Sequence, residues 1–92
     1  MGKEIRLFKS EEKRTRAEVS AFLHQLADKL NQGQVVLRQG QEEITLVLPS
    51  NLILEIQVED EDKKQKGIQH SLEVEIKWFD ADEQAGGPLE LG

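Results

Sequence analysis

Ser71-Leu72-Glu73-Val74-Glu75-Ile76-Lys77-Trp78 alternates polar and apolar residues without a break and ends on the only tryptophan of the chain. A period of two marks an amphipathic β-strand, because successive side chains leave a strand on opposite sides. Leu72, Val74 and Ile76 then belong to a face that packs, and Ser71, Glu73, Glu75 and Lys77 to one that meets water. Trp78 has the parity of the packing face. There it either completes the core or stands half-exposed beside Phe79 as an aromatic anchor for a partner. Working back, Leu52, Leu54, Ile56 and Val58 alternate in the same way with Ile53, Glu55, Gln57 and Glu59. Between these two runs, Glu59 to Gly67 is charged, with Asp60-Glu61-Asp62 and Lys63-Lys64, and reads as a solvated hairpin loop.

Further upstream, Pro49-Ser50-Asn51 is turn material, since Pro cannot donate to a ladder and Asn tolerates unusual φ. Glu43 to Leu48 and Val35 to Arg38 read as strands joined by a tight turn at Gln39-Gly40-Gln41. Before Gly33 the period changes to that of a helix. Val19, Phe22, Leu23, Ala27 and Leu30, with Leu26 between, describe one apolar stripe. Thr15 and Glu18 have the spacing of a capping box, and Gly33 suits the left-handed position just past a helix end. Ser10 to Arg14 is polar connecting material, and Ile5-Arg6-Leu7-Phe8-Lys9 is a short charge-studded run that reads as a first strand.

Strands joined by short turns pair antiparallel, and a sheet with one apolar face needs a cover that a helix with one apolar stripe supplies. The expected fold is therefore α+β in two layers, one helix packed on a mostly antiparallel sheet, in the order β-α-β-β-β-β. Leu37, Ile44, Leu46, Leu48, Leu52, Leu54, Ile56, Leu72, Val74 and Ile76 would face Val19, Phe22, Leu23, Leu26 and Leu30. Residues 1–79 make one domain on this reading. Residues 80–92, with Gly86-Gly87-Pro88 and no periodicity, read as a disordered acidic tail.

The order of these pieces resembles the amphi-Trp domain family of small bacterial and archaeal proteins. The resemblance is carried by the charged N-terminal run, by Ala17-Glu18-Val19 through Leu26-Ala27-Asp28-Lys29-Leu30, by Val35 to Gly40, and by the closing segment from Leu72 to Trp78. It covers the chain from about Lys3 to Trp78. The family is named for this amphipathic segment ending in Trp. The resemblance implies no established activity, cofactor or catalytic residue, so it sharpens the fold and not the function.

Composition narrows the function by exclusion. Ninety-two residues suit one small domain, and the absence of cysteine removes disulfides and thiolate chemistry and fits a reducing cytoplasm. No apolar run reaches the roughly 20 residues of a membrane-spanning helix, and the start of the chain is charged where a signal peptide is apolar. The net charge of −6 is uneven: residues 1–40 hold eight Lys/Arg against five Asp/Glu, and residues 41–92 hold four against thirteen. Net acidity disfavours general nucleic-acid binding, which needs cations against phosphate.

No constellation of catalytic residues is visible. His24 falls on the helix surface and His70 at a strand rim, no glycine-rich phosphate loop occurs, and Asp60-Glu61-Asp62 lacks the alternating ligands and central glycine of a calcium loop. Neither a metal, a cofactor nor an enzymatic activity is expected. The remaining candidates are binding surfaces. Strand parity turns Val36, Val47 and Ile53 away from the helix, where they can receive a protein partner or a second copy of the chain. An unpaired edge strand offers another route. Lys13, Arg14 and Arg16 form the one basic cluster, at the start of a helix, and support the alternative of an anion- or nucleic-acid-binding domain. The preferred expectation is a non-catalytic, cytoplasmic protein-interaction module, self-association included.

Overall fold

In the computed structural model, which describes residues 2–80, Thr15 opens helix α1 (Arg16–Gln32) with both bonds of a capping box. The Glu18 backbone N–H donates to the Thr15 hydroxyl at 3.1 Å, and the Thr15 backbone N–H donates to the Glu18 carboxylate at 2.9 Å. Gly33 ends the helix at φ 85°, in the left-handed region, and its N–H returns to the Leu30 carbonyl at 3.1 Å. A side chain there would meet only ordinary contact distances, so glycine is favoured for its backbone freedom and not for lack of space.

Gly33 passes the chain directly into β1 (Gln34–Gln39), which pairs antiparallel with β2 (Glu42–Val47). Gly40 at φ 60°, followed by a residue of negative φ, gives the two-residue connection the backbone of a type II′ hairpin turn. The Leu48 N–H donates to the Gly33 carbonyl at 2.9 Å and extends the ladder to the foot of the helix. β3 (Ile53–Asp62) and β4 (Ile68–Lys77) form a second antiparallel pair. A 3₁₀ turn, Lys64–Lys66, joins them. In that turn Asp62 accepts from the Lys64 N–H at 2.8 Å, and the Lys63 N–H donates to the Gly67 carbonyl at 2.8 Å.

The chain divides into two compact units, Met1–Leu48 and Pro49–Gly92. In the first, α1 packs against β1, and Val35 is the one fully buried residue among those described, at 4% exposure. Leu26, Leu30, Leu37, Ile44, Leu46 and Leu48 are half-buried. Val35 shares the face of Leu37, so this small core lies on the side the strand parity assigns to it. The second unit is the β3–β4 hairpin and its flanks.

An α+β chain with antiparallel pairing is therefore present, with three differences from the expected pattern. No strand forms over 5–9: among the described residues regular structure begins at Arg16. A strand exists through its pairing, and the charged run around Ile5 and Leu7 has no ladder partner, so both side chains stay exposed. The strands make two two-stranded sheets, not one meander. Finally, residues 59–62 are not loop but strand. Glu59 pairs with Ser71, Asp60 with His70, Glu61 with Gln69 and Asp62 with Ile68, and this cross-strand pairing outweighs the poor strand propensity of Asp and Glu. The acidic tail lies, from residue 81, outside the described residues.

Candidate functional site

The register of β3 and β4 sets apolar residues directly opposite one another three times in succession: Leu54 with Ile76, Ile56 with Val74, Val58 with Leu72. These six side chains share one face of the hairpin and form a continuous ladder. Leu54, Ile56, Val58, Leu72 and Val74 remain 56–72% exposed. At about 1.5–3 kcal/mol for complete burial of such a side chain, roughly 5–10 kcal/mol of transfer free energy is unrealised in these five alone. The same face continues to the tip of the hairpin through Asp60, His70 and Ile68. His70 Nδ1 lies 2.7 Å from the Asp60 carboxylate, a cross-strand pair that ends the apolar stretch with charge. Leu72 and Val74, which the alternation assigns to a packing face, are among these exposed residues.

The other face of the same hairpin is acidic. Glu55 stands opposite Glu75, and Glu73 lies diagonal to Glu59. A hydrogen bond with Glu59 and the charge of that residue hold the Glu73 carboxyl above its ordinary pKa, with partial desolvation and the charges of Glu55 and Glu75 adding to the effect. Lys77 is the countercharge: its ammonium donates to the Glu55 carboxylate at 2.6 Å, and that bond and the charge of Glu55 raise the lysine pKa. Ile53 belongs to this face, opposite Lys77, and is exposed. Trp78 follows the last residue of β4 and is half-buried, and Phe79 beyond it is exposed.

In the first unit Val36 and Val47 do share an exposed face. Val36 pairs with Thr45, and Val47 is two residues further along β2, so the two valines are diagonal neighbours. Ile53 belongs to the other sheet, the β3–β4 pair. The sequence places all three by parity alone, and parity does not say which strands share a sheet.

The basic cluster is divided. Arg14 pairs with Glu12 and, at 3.7 Å, with Glu18. Arg16 is instead part of the exposed helix surface with Val19, Ser20, Leu23, His24 and Ala27. The Glu18 carboxylate sits below its ordinary pKa because it accepts from the Thr15 backbone and hydroxyl and lies beside Arg14. The donors of the helix start that an anion would need are therefore partly taken by the cap, and the Arg14 charge is compensated. Beside Arg14 a groove of about 480 Å³ has Phe8, Val19, Phe22 and Leu37 among its lining, with Arg38 at its edge. Arg38 in turn donates to Glu43 at 2.8 Å, and Gln39 donates to Glu12 at 3.1 Å, so the polar groups at this groove are tied to one another.

Asp60, Glu61 and Asp62 do not converge. They alternate across the strand, with Asp60 on His70, Glu61 on Lys63 at 3.3 Å and Asp62 on the turn backbone. Among the described residues there is no group of three His, Cys, Asp or Glu side chains placed to hold a metal ion, and no helix long and apolar enough to cross a membrane.

Fold and surface together describe a small α+β protein whose largest organised feature is an amphipathic hairpin closing on Trp78. It belongs to the Amphi-Trp domain family, whose model matches residues 1–92, the whole chain. Neither the curated proteins nor the solved structures contain a match.

Proposed function

We propose that this Amphi-Trp domain protein is a non-catalytic protein-interaction module and that the apolar ladder of β3–β4 is its binding face. One observation carries the reading: three consecutive apolar cross-strand pairs on a ten-residue hairpin, exposed, backed by an acidic opposite face. An isolated two-stranded hairpin is at best marginally stable in water, so a face of this kind gains most by being covered. The candidate residues Val36 and Val47 offer a smaller patch of the same character, with two side chains against six. Location in the cytoplasm belongs to the same reading and is supported by the cysteine-free composition.

The test is affinity capture with the full chain, comparing Ile56→Lys in the ladder with Val47→Lys on the other patch. Loss of partners with Ile56→Lys and retention with Val47→Lys is the expected result. Equal capture by wild type and Ile56→Lys would remove the ladder from the function.

A further inference from the structure

We propose that residues 8–14 form a releasable strap along the groove between α1 and β1, with Phe8 as its plug and Glu12 as its clasp. The device lies wholly within the first unit and is separate from the ladder of β3–β4.

Phe8 sets the position of the strap. Ile5 and Leu7 of the N-terminal run are exposed, whereas Phe8 is half-buried. It lines the groove together with Val19 and Phe22 of α1 and Leu37 of β1. Val19 and Phe22, three residues apart, share a helix face, and Leu37 shares the strand face of the buried Val35. The groove is thus the edge of the small core of this unit, and the strap is the segment that borders it.

Glu12 sets how the strap is held. Residues 8–14 belong to no helix or strand, so side chains fix the segment. Three donors converge on the Glu12 carboxylate: the Ser10 hydroxyl at 3.4 Å, the Arg14 guanidinium, and Gln39 Nε2 at 3.1 Å. The first two fold the segment on itself, and the third ties it to the end of β1, 27 residues on. Arg14 also reaches Glu18 at 3.7 Å, the residue that closes the capping box on Thr15. The strap therefore has a fastened end at Thr15 and two attachments that can let go, Phe8 in the groove and Glu12 on Gln39.

Both attachments are weak. Glu12 and Arg14 are about half-exposed, and ion pairs and hydrogen bonds at such positions hold little individually. Phe8 withdraws only part of its surface from water. Holding of this strength leaves an open state populated at about 0.1–10%, the usual range for a minor conformer. Because the ties gather on one carboxylate, losing the bond to Gln39 frees Phe8 in the same step. The open strap bares Val19, Phe22 and Leu37 together, so it governs access to the apolar floor of the groove.

Limited proteolysis of the full chain with trypsin tests this, because Lys9 and Lys13 lie in the strap. Cleavage of a transiently opened segment follows the population of its open form. Gln39→Ala removes the tie at an exposed position and leaves the sequence around both cleavage sites intact. Rates are taken relative to cleavage after Lys64 in the β3–β4 turn, with the helical circular dichroism of α1 as the control for folding. Relative cleavage after Lys9 and after Lys13 should both rise about two- to fivefold in Gln39→Ala, the range that loss of one exposed tie supports. In Phe8→Ala the rise after Lys13 should be at least as large. Unchanged cleavage after Lys13 in both variants overturns the strap. A response to Phe8→Ala without one to Gln39→Ala overturns Glu12 as the clasp, and the converse overturns Phe8 as the plug. A rise confined to Lys9 overturns the single-step release and reduces the segment to a fraying terminus.

Discussion

The two units of this chain each carry one antiparallel hairpin and differ in what lies against it. In the first, β1–β2 has a helix against it, Val35 is buried, and the helix is closed at both ends by the Thr15–Glu18 box and by Gly33. In the second, a longer hairpin carries a better ordered apolar face and keeps it exposed. The first unit is held by local devices, each satisfying backbone groups or a small core within a few residues. The second has regular cross-strand pairing and one unspent apolar face. Amphipathicity alone therefore does not distinguish a strand that packs from a strand that presents.

The difference can be broken first at Val35. Truncation to Ala should cost roughly 2 kcal/mol through lost burial and cavity formation, and thermal unfolding should show that cost to be independent of protein concentration. Val74→Ala, at a side chain more than half exposed, should instead cost clearly less. Equal losses for the two variants would erase the contrast.

Next in size come the helix ends. Thr15→Ala should lose about 1 kcal/mol by opening the capping box, and Gly33→Ala a similar amount by forcing a β-carbon into φ 85°. Hydrogen exchange should place both losses in the first unit and leave the β3–β4 amides as protected as in wild type.

Acid should move the units in opposite directions. The depressed Glu18 pKa contributes stability above the ordinary glutamate value of about 4.3, and that contribution is lost as pH falls through the lower folded value. The raised Glu73 pKa works the other way: its charge opposes the hairpin at neutral pH, and the opposition is relieved as pH falls through the raised folded value. Lys77, whose pKa is also raised, keeps its contribution until pH climbs through its folded value above the ordinary 10.4 or so. Amide exchange followed from pH 7 downward should therefore show β3–β4 tightening before the start of α1 loosens. The smallest effect expected is that of Glu73→Gln, which should raise the midpoint of thermal unfolding slightly at pH 7 and leave it unchanged once Glu73 is protonated. A drop at pH 7 would mean that the carboxylate is needed where it stands.

Much of the first unit was legible from residues alone. Thr15, Glu18 and Gly33 act over three or four residues, so their chemistry is visible in the order of the letters. Gly40 announces its turn for the same reason. The second unit was legible in its alternation but not in its extent, because Asp60 and Asp62 become strand residues only through His70 and Ile68 on the other strand. The run around Ile5 and Leu7 shows the converse: an apolar-polar pattern without a partner forms no strand. Val36, Val47 and Ile53 are exposed, as their parity suggests, but on two different sheets. Parity separates Leu72 and Val74 from Glu73 and Glu75, but it carries no information on which side something covers. The compensation of Arg14 is likewise local, since both its ion-pair partners, Glu12 and Glu18, lie within four residues of it.

The carboxylates on the reverse of the β3–β4 hairpin have a consequence for growth. A ribbon with two adhesive sides adds layer upon layer, which is the route to fibrils. Here one side is apolar and the other carries Glu55, Glu59, Glu73 and Glu75, so like charges oppose a further layer on that side. The glutamates guard that side against sheet assembly, and because the Glu73 carboxyl is held above its ordinary pKa by Glu59, the guard weakens as pH falls.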